Sequence, residues 1–126
     1  YNLFGWSAFR DAARTESMAA RVRQETPDVL GTQEVEGRLR WWAEKVGMSY
    51  VSSRGQPTNP VEIFYRRESL TLLEHGEFLL NERDQWGQRM AMWALFKHKA
   101  SGRLFYHYNT HWCVCDENAL FKSAQT

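Results

Sequence analysis

The chain is poor in cysteine. Only Cys113 and Cys115 occur, one residue apart, which is an awkward spacing for a mutual disulfide and too few ligands for a structural zinc site. They leave the redox compartment open. No apolar run approaches membrane-spanning length, and no signal-peptide pattern opens the chain. Charge of one sign is also missing. A formal net charge of +1 gives no global field for collecting polyanions, so any phosphate or nucleic-acid binding must rest on local charge. There are no internal repeats, no low-complexity tract and no composition break that would mark a second domain.

What is present is a core. With 126 residues, 43% of them hydrophobic, and six tryptophans, the chain can bury a sizeable interior and has the length of one domain at most. It begins at Tyr1 inside a strand-like stretch and stops within a helix-like one, so it is expected to be a segment of a longer protein.

The organising stretch is Pro27-Asp-Val-Leu-Gly-Thr-Gln-Glu-Val35. It is too short for an independent helix, Gly31 would weaken one, and Val29, Leu30 and Val35 suit a buried strand. The run delivers a carboxylate, Glu34, beside an amide, Gln33. A buried carboxylate needs a cation, a metal or good donors, so Glu34 is either salt-bridged to an arginine or a metal ligand.

Taken in order, residues 1–4 form a strand candidate with a turn at Gly5. Phe9, Ala12, Ala13, Ala20 and Val22 then suggest a helix within residues 7–25. Its mixed outer charges, Arg10, Arg14, Arg21 and Arg23 among Asp11, Glu16 and Glu25, read as a solvated face. Pro27 ends that helix and completes a strand-helix-strand unit of the kind that makes parallel pairing. Leu39, Trp42, Ala43 and Val46 fall at i, i+3, i+4 and i+7, the face of a second helix that Gly47 terminates. Trp41 and Trp42 read as packing residues. Residues 50–53 are a strand and 54–60 a loop by composition, after which strands are expected at 61–66, 70–73, 90–97 and 103–113. The polar stretch 81–88 reads as a loop long enough to border a site.

In the last strand, alternation puts Phe105, His107, Asn109, His111 and Cys113 on one face and Leu104, Tyr106, Tyr108, Thr110 and Trp112 on the other. The second set reads as core. The first becomes polar toward its C-terminal end, where open α/β sheets place ligands, so Asn109 and His111 are candidate functional residues.

Tyr-Asn at 1–2, the run at 27–35, Ile-Phe-Tyr-Arg at 63–66, Arg89 ahead of an apolar strand and Asn-Thr-His at 109–111 occur in an order that resembles the endonuclease/exonuclease/phosphatase superfamily. These are the deoxyribonuclease-I-like, metal-dependent phosphoesterases. The resemblance runs over nearly the whole chain and implies the α/β class: a four-layer α/β/β/α sandwich with its active site where strand ends converge. Residues 1–126 would be the N-terminal half of one such domain, supplying the first sheet and its helices, with the remaining half as a partner. An apolar face would then stand open, and the isolated segment should be unstable or self-associating.

The resemblance also implies roles. Glu34 matches the family's metal-binding glutamate, with Mg²⁺ the expected cofactor and Mn²⁺ or Ca²⁺ as substitutes. His111 matches the histidine of proton transfer or transition-state stabilisation, and Asn109 shares its motif as a catalytic candidate. Arg89 and Asn2 match phosphate-binding positions, and Asn59 or Glu62 falls near the position that supports the site histidine. The expected substrate is a phosphate ester, either nucleic acid or a phosphorylated small molecule or lipid head group. Two departures stand against this. Cys113 replaces the aspartate that many members place after His-Leu, and the family's later Gly-Asp-Phe-Asn and Ser-Asp-His motifs are absent. They motivate an alternative, a catalytically silent domain of the same fold that acts as a binding module.

Overall fold

A computed structural model describes residues 1–3, 10–35, 38–51, 61–84 and 87–112, with the side chains of 81–84 and 87 outside that description. Helix α1 spans Ala12–Glu25. Asp11 caps it by accepting the Arg14 N–H at 3.0 Å, and the chain leaves it through Thr26 in the left-handed region, φ 45°, immediately before Pro27. Its buried stripe is Thr15, Ala19 and Val22. Of the residues expected inside, Ala12, Ala13 and Ala20 are exposed, since a small methyl does not decide which face meets the sheet, and Phe9 lies outside the described residues.

Helix α2, Leu39–Val46, buries Trp42, Ala43 and Val46, the face anticipated from their spacing. Gly47 ends it with φ 67°, and the Met48 N–H returns to the Ala43 carbonyl at 3.0 Å. The two helices are tied at the surface, where Glu16 accepts from both Arg23 and Lys45. Those cations hold the Glu16 carboxyl below its ordinary range.

Among the described residues, six strands form two antiparallel sheets of three. In the first, β3 (Val61–Tyr65) lies between β1 (Val29–Gln33) and β2 (Ser49–Tyr50). Among the described residues, parallel pairing is present as a single bridge, Asn2 to Gln33. In the second, β5 (Gly87–His98) lies between β4 (Leu70–Asp84) and β6 (Leu104–Thr110). Every residue of β3 is buried because both its faces are covered. Phe64 joins Trp42, Val46, Val22 and Leu3 under the helices, while Val61, Ile63 and Tyr65 meet Met90, Met92, Ala94 and Phe96 of the second sheet. The layers run helix, sheet, sheet. The α/β sandwich class stands, and the strands are shared between two facing sheets, so the chain supplies a helix-covered sheet together with a second sheet that packs on it.

Two sequence expectations need correction. The stretch 81–88 is mostly strand, since β4 runs to Asp84 and β5 starts at Gly87 with a register shift between Leu79 and Arg83. Polar residues are tolerated at the end of a hairpin, and their polarity resembled a loop. The faces of β6 are also reversed. Leu104, Tyr106 and Tyr108 are 59%, 54% and 60% exposed, while Phe105, His107 and Asn109 point toward the first sheet. The outward set forms an aromatic row in which Trp93 lies 5.9 Å from Tyr106, and Tyr106 stacks on Tyr108 at 6.0 Å. Trp93 covers Gly76 so closely that a Cβ there would come within 2.8 Å of Trp93 Nε1. No helix among the described residues is long and apolar enough to cross a membrane. The loop 54–60, with Asn59, and both cysteines lie outside the described residues.

Candidate active site

Glu34 follows β1 in the left-handed region, φ 63°, a conformation that costs a non-glycine residue about 1–3 kcal/mol. The neighbours impose it. On one side Gln33 is paired to β3, and on the other Val35 is fully buried beneath the helices, so the chain must turn sharply between them. The N-terminal segment lies alongside, with the Leu3 N–H donating to the Gln33 carbonyl and the Gln33 N–H to the Tyr1 carbonyl. That placement brings the Asn2 Nδ2 to 2.9 Å from Glu34 Oε1, to which it donates. The other oxygen, Oε2, is buried with no hydrogen-bond partner among the described residues.

His111 arrives from the second sheet, just beyond β6. Its Nε2 is 3.5 Å from Glu34 Oε1, and the two side chains retain 17% and 20% of their exposure. Asn109, two residues earlier, is 7% exposed and has its carboxamide committed to protein. Oδ1 accepts from Gln33 Nε2 at 2.7 Å, while Nδ2 donates to the carbonyls of Thr32 at 2.7 Å and Glu62 at 2.8 Å. Arg89 is nearly fully buried near the start of β5, three residues before Met92, the strand partner of Asn109. The structure thus brings Asn2, Glu34 and His111 together, puts Asn109 directly behind them, and sets Arg89 at the same end of the second sheet.

Sequence reasoning named Asn109 and Glu62 singly and passed over the polar layer that they form beneath the site. Gly31 is the entry point, for a Cβ there would come within 2.9 Å of Asn109 Cγ and 3.1 Å of His107 Nε2. A glycine inside a strand is the available signal of such a close approach. Burial pushes the His107 imidazole below its ordinary range. Glu62, 7% exposed, contributes its backbone carbonyl to Asn109. Burial, followed by the like charge of Glu77, pushes its carboxyl up to about 8.

Glu34 is the residue here that could hold a cation. A carboxylate with one oxygen oriented by an amide and the other buried without a partner suits a hard divalent ion that keeps water in its shell. Among the described residues no group of three or more histidine, cysteine, aspartate or glutamate side chains could complete it.

No family model and no curated protein matches the chain. Solved structures do. An endonuclease/exonuclease/phosphatase family protein from Bacteroides thetaiotaomicron is 26% identical, with a TM-score of 0.74 over 90% of this chain and 47% of that one. The mannosyl-6-phosphatase of Bacteroides thetaiotaomicron VPI-5482 is 24% identical, with a TM-score of 0.70 over 90% of this chain and 50% of that one. TDP2 from D. rerio, solved with a single-strand DNA product, is 20% identical, with a TM-score of 0.77 over 98% and 48%. The chain spans about half the length of these structures. It carries a partial sandwich of the endonuclease/exonuclease/phosphatase type, a fold shared by phosphatases and nucleases.

Proposed function

We propose that residues 1–126 are the N-terminal half of one endonuclease/exonuclease/phosphatase domain, and that the completed domain is a metal-dependent hydrolase of phosphate esters. One observation carries this reading. A strained glutamate, Glu34, is held open at a strand end with Asn2 on one oxygen, no partner among the described residues on the other, and His111 at 3.5 Å. Strain of that kind persists only where surrounding structure over-determines it, and it concentrates at functional sites.

Glu34 would hold the cation, with Mg²⁺ the best match to one carboxylate, one orienting amide and water. A bound Mg²⁺ supplies polarisation of a phosphoryl oxygen and offsets the charge on the phosphate. The protein groups do the rest. Asn2 keeps the carboxylate from rotating by donating to Oε1. His111, whose Nε2 lies 3.5 Å from Glu34 Oε1, would carry the proton that stabilises negative charge on the phosphate or passes to a leaving oxygen. Arg89 would present its guanidinium fork to two phosphate oxygens. The groups that orient attacking water belong to motifs that this chain does not contain, so the segment alone is expected to be inactive. The substrate is a phosphate ester. The single-strand DNA bound by TDP2 and the phosphorylated sugar named for the mannosyl-6-phosphatase mark the two classes to compare.

The test is turnover of a chromogenic phosphodiester and of plasmid DNA by the longer protein, with Mg²⁺ and with chelator, beside Glu34→Gln. Chelator-sensitive turnover that is lost in Glu34→Gln supports the reading. A folded protein that neither turns over a phosphate ester nor binds Mg²⁺ replaces it with the catalytically silent binding module.

A further inference from the structure

Glu34 and His111 stand on different sheets, and their 3.5 Å separation has to be set by something. The apolar contacts between the sheets, Val61, Ile63 and Tyr65 against Met90, Met92 and Phe96, are non-directional and tolerate small slides. Directional contacts do not. We propose that Gln33 and Asn109 form a positioning clamp that fixes Glu34 against His111, an inference that rests on the phosphoesterase reading for its kinetic consequence but not for its geometry.

The clamp is built from one buried carboxamide that reaches three groups. Asn109 donates to carbonyls on both β1 and β3, at Thr32 and Glu62, and accepts from the Gln33 side chain. Two carbonyls against Nδ2 and one N–H against Oδ1 define a single orientation of the amide, because the flipped amide would set Oδ1 against both carbonyls. Gly31 makes the approach possible, since any side chain on that residue would occupy the space of the amide. Leverage is short. Gln33 is one residue from Glu34, and Asn109 is two residues from His111 along an extended strand, so a displacement of the clamp passes almost undiminished to the reacting groups. Asn109 is buried behind the site and Gln33 half-buried beside it, which makes Asn109 a positioning residue where the sequence had suggested a catalytic one.

Gln33→Met in the longer protein keeps the side-chain volume and removes the amide. Kinetics should show kcat lowered about 10- to 100-fold, the range for outer-shell partners of metal sites, with KM changed less than about threefold. A general loss of stability would add to any other defect, whereas a clamp acting through His111 should not. In a His111→Ala background the effect of Gln33→Met should therefore shrink to less than about threefold. Independently of activity, a crystal structure of Gln33→Met should show Glu34 Oε1 and His111 Nε2 further apart than in the wild type. Undiminished additivity in the double variant, or an unchanged separation in the crystal, overturns the clamp. If Gln33→Met does not fold, Gln33→Asn, one methylene too short to reach Oδ1, is read by the same measurements. A wild type without turnover sinks the phosphoesterase reading, and the crystallographic comparison then decides the clamp alone.

Discussion

Replacing Glu62 by glutamine is expected to stabilise the protein at neutral pH. The side chain lies on β3, buried throughout, and its Oε2 has no hydrogen-bond partner among the described residues. Burial first and the charge of Glu77 second raise its carboxyl from an ordinary 4.5 to about 8. Between those values the unfolded chain has released the proton and the folded one keeps it, so stability falls as pH rises through this window and levels off above it. At pH 7 the unfolded carboxyl sits about 2.5 pH units above its own pKa while the folded one is still mostly protonated. At about 1.4 kcal/mol per unit, folding loses on the order of 3 kcal/mol. Glutamine has nearly the shape of the protonated acid and cannot ionise. Glu62→Gln should therefore exceed the wild type by up to about 3 kcal/mol at pH 7 and match it near pH 4, with the gap opening between 4.5 and 8. Urea denaturation of both proteins at pH 4, 5.5, 7 and 8.5 reads this directly. A variant less stable than wild type at pH 7, or a difference that does not change with pH, would refute the reasoning.

Gly31→Ala forces a Cβ to within 2.9 Å of Asn109 Cγ, and overpacking of that kind should cost about 1–3 kcal/mol, read as a lower urea midpoint at unchanged slope. Asp11→Ala removes the acceptor for the Arg14 N–H and should lower stability by about 1 kcal/mol, with Asp11→Ser restoring most of it. Glu34→Gly should relieve the left-handed backbone at residue 34, so the variant should keep or gain up to about 1 kcal/mol of stability while losing Mg²⁺ binding measured by calorimetry. Tyr106→Ser with Tyr108→Ser should reduce self-association of the isolated segment in analytical ultracentrifugation, because both rings stand on the uncovered face of the second sheet.

Much of the local structure was legible in the chain itself. The spacing of Leu39, Trp42, Ala43 and Val46 encodes a helix face whatever it packs against, and Gly47 ends it because the left-handed cap favours glycine. Pro27 and the β-branched residues after it mark where α1 stops and β1 begins. Glu34 was found as the carboxylate at the end of a buried run and His111 by alternation along the last strand, and the structure brings them to one place. Other features depend on partners distant in sequence. Alternation along β6 divides its residues into two sets, but which set faces inward depends on what the opposite sheet offers. Here it offers the carbonyls of Thr32 and Glu62 and the bare backbone of Gly31, so the polar Asn109 goes in and Tyr106 and Tyr108 stay out. The left-handed turn at Glu34 likewise follows from the simultaneous anchoring of Gln33 in a sheet and Val35 beneath helices. By itself the sequence determined the two helices, most of the strands and the candidate site residues, because periodicity and backbone preference are local. The inward face of β6, the division into two sheets and the clamp behind the site were decided only by tertiary structure, since each arises from contacts between residues far apart in the chain.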